Sequence, residues 1–345
     1  MKFDLEKASK TLGFNEERLV ENCNILLEAY RNKRNVFSLN KPTCESILPE
    51  DIERDSREYT NYLTFMSIPN LMVDANVLFE KGRLLYKKEP WVFEPSEVFE
   101  KDKDQLKIVK RKRSKIFVAP HIDEILSKEL EHGLHEALSG KWYKTARKLH
   151  RVYDDDSRNV FKYVTDFDVA LRRLDVGKSK QPIEREVRNT SFPRFGGFGN
   201  KTGPLLIIWF IKYGFIKDMD RFEIKQPIDA HGFNLYIGRG ITDIDERIRK
   251  EKFTRNVQEL LRDAFKRNNI PPIDFHYAQW RLGSEVCNSN NCYNLRTEDG
   301  KERLCPFPTP CKYYLDSFAY RRQGFIEKQL GNFSNQVADP ADLFS

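Results

Sequence analysis

Phe195–Gly203 reads FGGFGNKTG, and the most apolar run of the chain, PLLIIWFI (Pro204–Ile211), follows at once. Glycines carry no Cβ, so Gly197 and Gly199 let the backbone turn sharply with its N–H groups unshielded. A helix is predicted to begin near Thr202, with Pro204 suited to a first-turn position. Amides at a helix N-terminus can hold a phosphate without reading sequence. The plain alternative is a glycine-rich turn between two helices.

Two charged residues bracket this buried segment. Lys201 sits at the predicted helix start, where positive dipole ends and partial desolvation both favour a neutral, nucleophilic amine. Asp229 lies in the polar break PIDAH (Pro227–His231), ahead of AHGFNLYIG. Its plain role is a helix N-cap. A capping aspartate that faces a cleft can also stabilise a developing cation or assist proton transfer.

The surrounding chain suits a folded protein. It has 345 residues, 39% of them hydrophobic and 32% charged, enough for one large domain or two modest ones. The run Pro204–Ile211 is too short to span a bilayer, so no membrane association is expected. The N-terminus, MKFDLEKASK, carries charge where a signal peptide would be apolar, so an intracellular, cytoplasmic or nucleoid-associated location is expected. The net charge of +7 favours a polyanionic partner, although a mixed charged surface explains it equally well. The sharpest basic cluster is KIVKRKRSK (Lys107–Lys115), either a phosphate-tracking patch or a solvated loop between helices.

Helical spacing dominates and strand patterns are scarce. DSREYTNYLTFM places Tyr59, Tyr62, Leu63 and Met66 on one face behind Asp55 or Ser56 as N-cap. After Pro69, NLMVDANVLFEKGRLLY gives a helix with Leu71, Val77, Leu78, Leu84 and Leu85. Residues 86–120, punctuated by prolines, read as loop-rich. Helices resume in HIDEILSKELEHGLHEAL, KWYKTARKLHRVY and FDVALRRL. FTRNVQELLRDAF spaces Phe253, Val257, Leu260, Leu261 and Phe265 helically, and DFHYAQWRLGSEV adds a last helix. The fold class is all-α.

That last helix leads into four clustered cysteines: Cys287, Cys292, Cys305 and Cys311, spaced C-x4-C-x12-C-x5-C. Intracellular thiols stay reduced, so such a cluster reads as a metal site sooner than as disulfides. Four thiolates suit either zinc or a 4Fe–4S cluster, and the paired C-x2-C knuckles usual for zinc are missing. The alternative is a set of reduced, buried thiols.

Taken in order, FGGFGNKTG, PIDAH and FHYAQWRLGSEVC with three further cysteines resemble the endonuclease III branch of the helix-hairpin-helix DNA glycosylases. That branch carries L-P-G-V-G-x-K-T-A, then V-D-T-H, then a helix ending in the first cysteine of an iron–sulfur loop. The likeness covers roughly Phe192 to Cys311. It implies that Lys201 is the catalytic lysine and Asp229 the catalytic aspartate. It also implies that Gly197 and Gly199, with Asn200 and Thr202 beside them, approach the DNA backbone, and that the four cysteines hold a 4Fe–4S cluster.

The implied fold is a helix-hairpin-helix barrel over residues 55–227 and a helical domain with the cluster loop over 228–345. Residues 1–54 would pack with that second domain. The implied partner is double-stranded DNA with a modified base flipped into a cleft, bound by a monomer. The chain departs from the family pattern at Gly196 (proline in the family), Gly203 (alanine) and the cysteine spacing, where the family shows C-x6-C-x2-C-x5-C. Lys201 and Asp229 are also further apart than usual, so IKDMDRFEIKQ must loop out.

The expected function is therefore a DNA glycosylase with abasic-site lyase activity. Alternatives are a monofunctional glycosylase, including one acting on hypermodified phage DNA, a modified-nucleoside hydrolase, or a non-catalytic DNA-binding protein with a structural zinc. His121, His132, His135 and His150 lack a matching carboxylate pattern and are read as surface or core residues. His231 is read as shaping the loop beside Asp229. Trp142, Tyr143 and Trp280 are read as core, and Asp154–Asp156 as a turn.

Overall fold

A computed structural model describes residues 3–69, 74–110, 115–131, 135–176, 193–228, 230–242, 250–287 and 292–311. The described chain is mostly helical, with one short antiparallel hairpin. The described residues divide into two compact units, one within Pro42–Met219 and the other formed by those before Pro42 together with those from Asp220 to Cys311. None of the described helices is long and apolar enough to cross a membrane.

The first of these units begins with α3 (Arg57–Ser67), following α1 (Leu5–Leu12) and α2 (Glu16–Arg31) of the other unit. Ser56 caps α3 by accepting the Tyr59 N–H at 3.0 Å. After it come α4 (Ala75–Lys88), α5 (Pro95–Asp102), β1 (Lys107–Lys110), β2 (Lys115–Val118) and α6 (Pro120–Lys128). The long α7 (His135–Tyr153), the single turn α8 (Arg158–Phe161), α9 (Phe167–Arg173) and α10 (Thr202–Lys212) complete it. Helix α7 packs on α5, α6 and β2, while α10 packs on α3 and α9. Trp142 of α7 is fully buried, stacks on Phe65 at 4.9 Å and donates its indole N–H to Val92 O. Helix α10 buries residues all round, as a helix apolar on every face must.

The other unit joins the two N-terminal helices to α11 (Ala230–Gly238), α12 (Lys250–Arg267) and α13 (Pro272–Glu285). Leu19, Cys23 and Leu26 of α2 share one core with Val257, Leu260, Leu261 and Phe265 of α12 and Phe275 and Leu282 of α13. All five apolar positions read from the α12 periodicity are buried.

Three readings change. Residues 86–120 are not mainly loop, because they hold α5 and the β1–β2 hairpin, with Lys107 opposite Val118 and Lys110 opposite Lys115. The described chain remains mostly helical, consistent with the all-α expectation. In α4, Val77 and Leu84 are 55% and 51% exposed, and the buried face is Leu78, Phe79, Gly82 and Leu85. Leu71 lies outside the described residues. The stretch HIDEILSKELEHGLHEAL is two helices, α6 and the start of α7, and α7 runs on without a break through KWYKTARKLHRVY.

Candidate active site

The glycine turn is built from contacts that explain its residues one by one. Asp175 Oδ2 accepts the Phe195 N–H at 3.0 Å and stands 3.5 Å from Lys148 Nζ. Thr145 Oγ1 donates to Gly196 O at 3.0 Å and lies 3.3 Å from the Gly196 N–H. A Cβ on Gly196 would come within 2.5 Å of Lys141 O, so any side chain there would have to displace the α7 backbone. Gly197 has a φ of +87°, the left-handed region open to glycine, and its missing Cβ faces Ile68. A Cβ on Gly203 would meet Val176 Cγ2 at 2.7 Å, which accounts for a glycine at this position.

Gly199 is different, since a Cβ there would meet nothing within 4 Å. Its N–H donates to Thr202 Oγ1 at 3.0 Å, and that hydroxyl donates to Gly197 O at 2.8 Å. Thr202 is thus a buried clasp that holds the turn in register with α10, 2% exposed. Asn200 sits exposed at the tip of the turn.

Lys201 precedes the first turn of α10 and is half-buried. Its charge acts on Cys44, a residue to which the sequence reading assigned no role. Burial pushes the Cys44 thiol well up, the neighbouring Glu45 carboxylate pushes it further, and Lys201 pulls partly against both. Glu45 is 1% exposed. Its Oε1 is 2.8 Å from Lys212 Nζ at the far end of α10, and its Oε2 accepts from Cys44 Sγ at 3.5 Å. Tyr213 is pushed up to about 12 by burial and then by Glu45, and Tyr59, its edge-on ring neighbour at 5.4 Å, is raised further by burial. No local pattern in PTCESILP signalled this acid, because its partner is distant in sequence.

Asp229 lies outside the described residues; α11 starts directly after it at Ala230, and the His231 side chain is likewise outside. Of the four clustered cysteines, Cys305 is buried and Cys287 packs half-buried on the same core, after the end of α13. Cys311 is half-buried and Cys292 opens a short helical turn, its side chain outside the described set. The loop between them is pinned by Tyr293 Oη donating to Pro308 O at 2.6 Å and Arg239 Nη1 donating to Thr309 O at 2.9 Å. Thiol donors suit zinc or iron. Among the described residues, however, no three cysteine, histidine or acidic side chains gather into a ligand set.

Three of the histidines pair with carboxylates that are distant in the spacing pattern of the sequence. His121 Nδ1 is 3.2 Å from Asp102 Oδ1, His135 Nδ1 is 2.7 Å from Asp123 and His150 Nδ1 is 3.1 Å from Asp155. These pairs are structural in placement: buried Asp102 also accepts the His121 and Ile122 N–H groups at the start of α6. His132 lies outside the described residues. Trp142 and Tyr143 are core, Trp280 is half-buried, and Asp154 and Asp155 make a turn with φ of 52° and 60°.

No family model, no curated protein and no solved structure matches this chain.

Proposed function

We propose that the chain is a DNA glycosylase with abasic-site lyase activity, of the helix-hairpin-helix, endonuclease III-like kind. The observation that carries this reading is the placement of Lys201. A lysine stands at the head of a helix buried from Thr202 to Ile211, directly behind a clasped glycine turn whose Gly199 has no side chain over the backbone. A bare backbone is what close approach to a DNA strand requires.

In this reading Lys201 Nζ, as the neutral amine, attacks C1′ of a flipped nucleotide. The N-glycosidic bond breaks and the base departs with its bonding pair, taking a proton from water. Ring opening gives an iminium at C1′; loss of a C2′ proton then expels the 3′ phosphate. Asp229 takes the lysine proton, returns it to O4′ as the sugar ring opens, and balances cationic character at the sugar. The four cysteines are assigned to a 4Fe–4S cluster, with zinc as the alternative.

Borohydride added to protein and abasic duplex tests the lysine. Wild type gives a covalent protein–DNA adduct and Lys201→Ala gives none; equal absence from both overturns the lyase assignment. Asp229→Asn slows base release across a panel of duplexes bearing different modified bases. Anaerobically purified protein is brown with broad visible absorption, and a colourless zinc protein would remove the iron–sulfur assignment.

A further inference from the structure

The glycine turn that carries Lys201 is held at both ends by two neighbouring residues, Asp175 and Val176, to which the chemistry above assigns nothing. Helix α9 stops at Arg173, and Asp175 then takes a φ of +61°. The Asp175 N–H donates to Arg172 O and the Val176 N–H to Leu171 O, each at 3.0 Å, which closes the helix in a left-handed cap. Glycine is the usual residue for such a cap, because a Cβ crowds the following carbonyl there. An aspartate in its place holds a strained backbone, and its side chain shows what the strain supports.

At the entry of the turn, Asp175 Oδ2 accepts the Phe195 N–H at 3.0 Å and lies 3.5 Å from Lys148 Nζ of α7. The Asp175 side chain is 5% exposed and that of Lys148 14%, so water weakens this contact little. The Phe195 ring stacks on Tyr153 of α7 at 5.9 Å, with Lys148 Nζ 5.7 Å from its centre and Phe198 edge-on at 5.6 Å. At the exit, Val176 Cγ2 stands 2.7 Å and Leu171 Cδ2 3.2 Å from where a Gly203 Cβ would be. Between the two ends comes Lys201, with Thr202 tying the exit back to Gly197 O and the Gly199 N–H. One dipeptide thus fixes where the turn begins and what its end rests on.

We propose that Asp175 is a positioning residue for Lys201: its carboxylate pins the entry of the glycine turn to the end of α9 and so sets where the Lys201 amine stands. The role rests on the lyase reading, because the place of the amine matters to rate only where Lys201 attacks C1′. Asp175 acts through the backbone of the turn and not on the substrate. A nucleophile misplaced by on the order of 1 Å costs about a hundredfold in rate, whereas duplex binding is spread over many phosphate contacts.

The test is single-turnover borohydride trapping of the full chain on an abasic duplex, with duplex affinity measured alongside by fluorescence anisotropy. Asp175→Gly keeps the left-handed cap without strain and removes the acceptor for the Phe195 N–H. Its adduct is expected to form roughly thirtyfold more slowly than that of wild type, with affinity within about twofold. Its melting temperature falls by only a few degrees, because relief of strain offsets part of the lost hydrogen bond. Asp175→Asn keeps an acceptor oxygen and tolerates the left-handed region, so its rate stays within about threefold of wild type. A merely structural role gives a common loss of melting temperature and affinity and no such rescue. Val176→Ala loosens the exit alone and slows trapping roughly tenfold at unchanged affinity, which keeps the test open if Asp175→Gly does not fold. Wild-type trapping rates in Asp175→Gly or, where that variant does not fold, in Val176→Ala overturn the proposal. So does an asparagine variant as slow as the glycine one, or an affinity that falls in step with the rate. Wild type that traps nothing removes the lyase reading and this role with it. Wild type that traps beside an equally fast Asp175→Gly removes the role alone.

Discussion

The glycine turn and the cysteine loop were the two most legible motifs in the sequence, and the fold treats them differently. At the turn, each glycine but Gly199 has a steric or conformational reason: Lys141 O for Gly196, a φ of +87° for Gly197, Val176 for Gly203. At the loop, Cys305 and Cys287 share a core, but the described side chains do not gather into a ligand set. The turn is specified by atoms of the chain acting on one another. A thiolate site, by contrast, draws its geometry from an ion the chain must acquire.

The strongest way to break the comparison is Gly196→Ala. Its new Cβ meets backbone atoms of Lys141, which cannot rotate away, so a loss of about 3 kcal/mol is expected in denaturant unfolding. A loss near zero would mean that the turn is not packed as described. Next comes the far end of α10, where Lys212→Met removes the cation 2.8 Å from buried Glu45. Breaking a buried pair is strongly destabilising, but the Lys212 side chain is 32% exposed, so the discounted expectation is about 2 kcal/mol. Glu45→Gln with Lys212→Met should recover part of that loss; no recovery would show that the two residues are not coupled.

Substitutions in the cysteine loop sharpen the other side. As a core thiol, Cys305 replaced by serine loses about 1 kcal/mol, and half-exposed Cys311 replaced by serine loses little. If the thiols are ligands, the two losses are alike and larger, and the visible absorption goes with them. Equal, negligible losses would argue that neither packing nor a metal uses these residues. The smallest stability effect is expected at Gly199→Ala, where nothing lies within 4 Å of the added methyl. There the melting curve stays within about 0.5 kcal/mol of wild type while duplex affinity falls. Unchanged affinity would remove the reason for a bare backbone at that position.

Much of the local structure was readable in advance. Ser56 was one of two possible caps for α3, and the Tyr59 N–H chose it over Asp55. The helix at Thr202, the five buried positions of α12 and the helix leading to Cys287 follow from spacing alone. Other features gave no such signal. A proline-punctuated stretch concealed α5 and the ribbon, because a two-stranded ribbon four residues deep has too few residues to show a period. Val77 and Leu84 fit an apolar helical face, but the packing turned α4 so that Phe79 and Gly82 face inward, Gly82 lying against Met66 and Tyr62.

By itself the sequence determined most of the helices, the α3 cap and the glycine turn, since backbone hydrogen bonds and Cβ sterics act within a few residues. It also placed a lysine at the head of a helix too apolar to lie anywhere but in a core. Only the tertiary structure decided which charges meet. Glu45 finds Lys212 and Cys44, Asp102 finds His121, and the ribbon and the glycine turn find the same turn of α7. A buried charge must have a partner, but any residue that the fold brings within reach can supply it, and distance along the chain gives no hint of which one will.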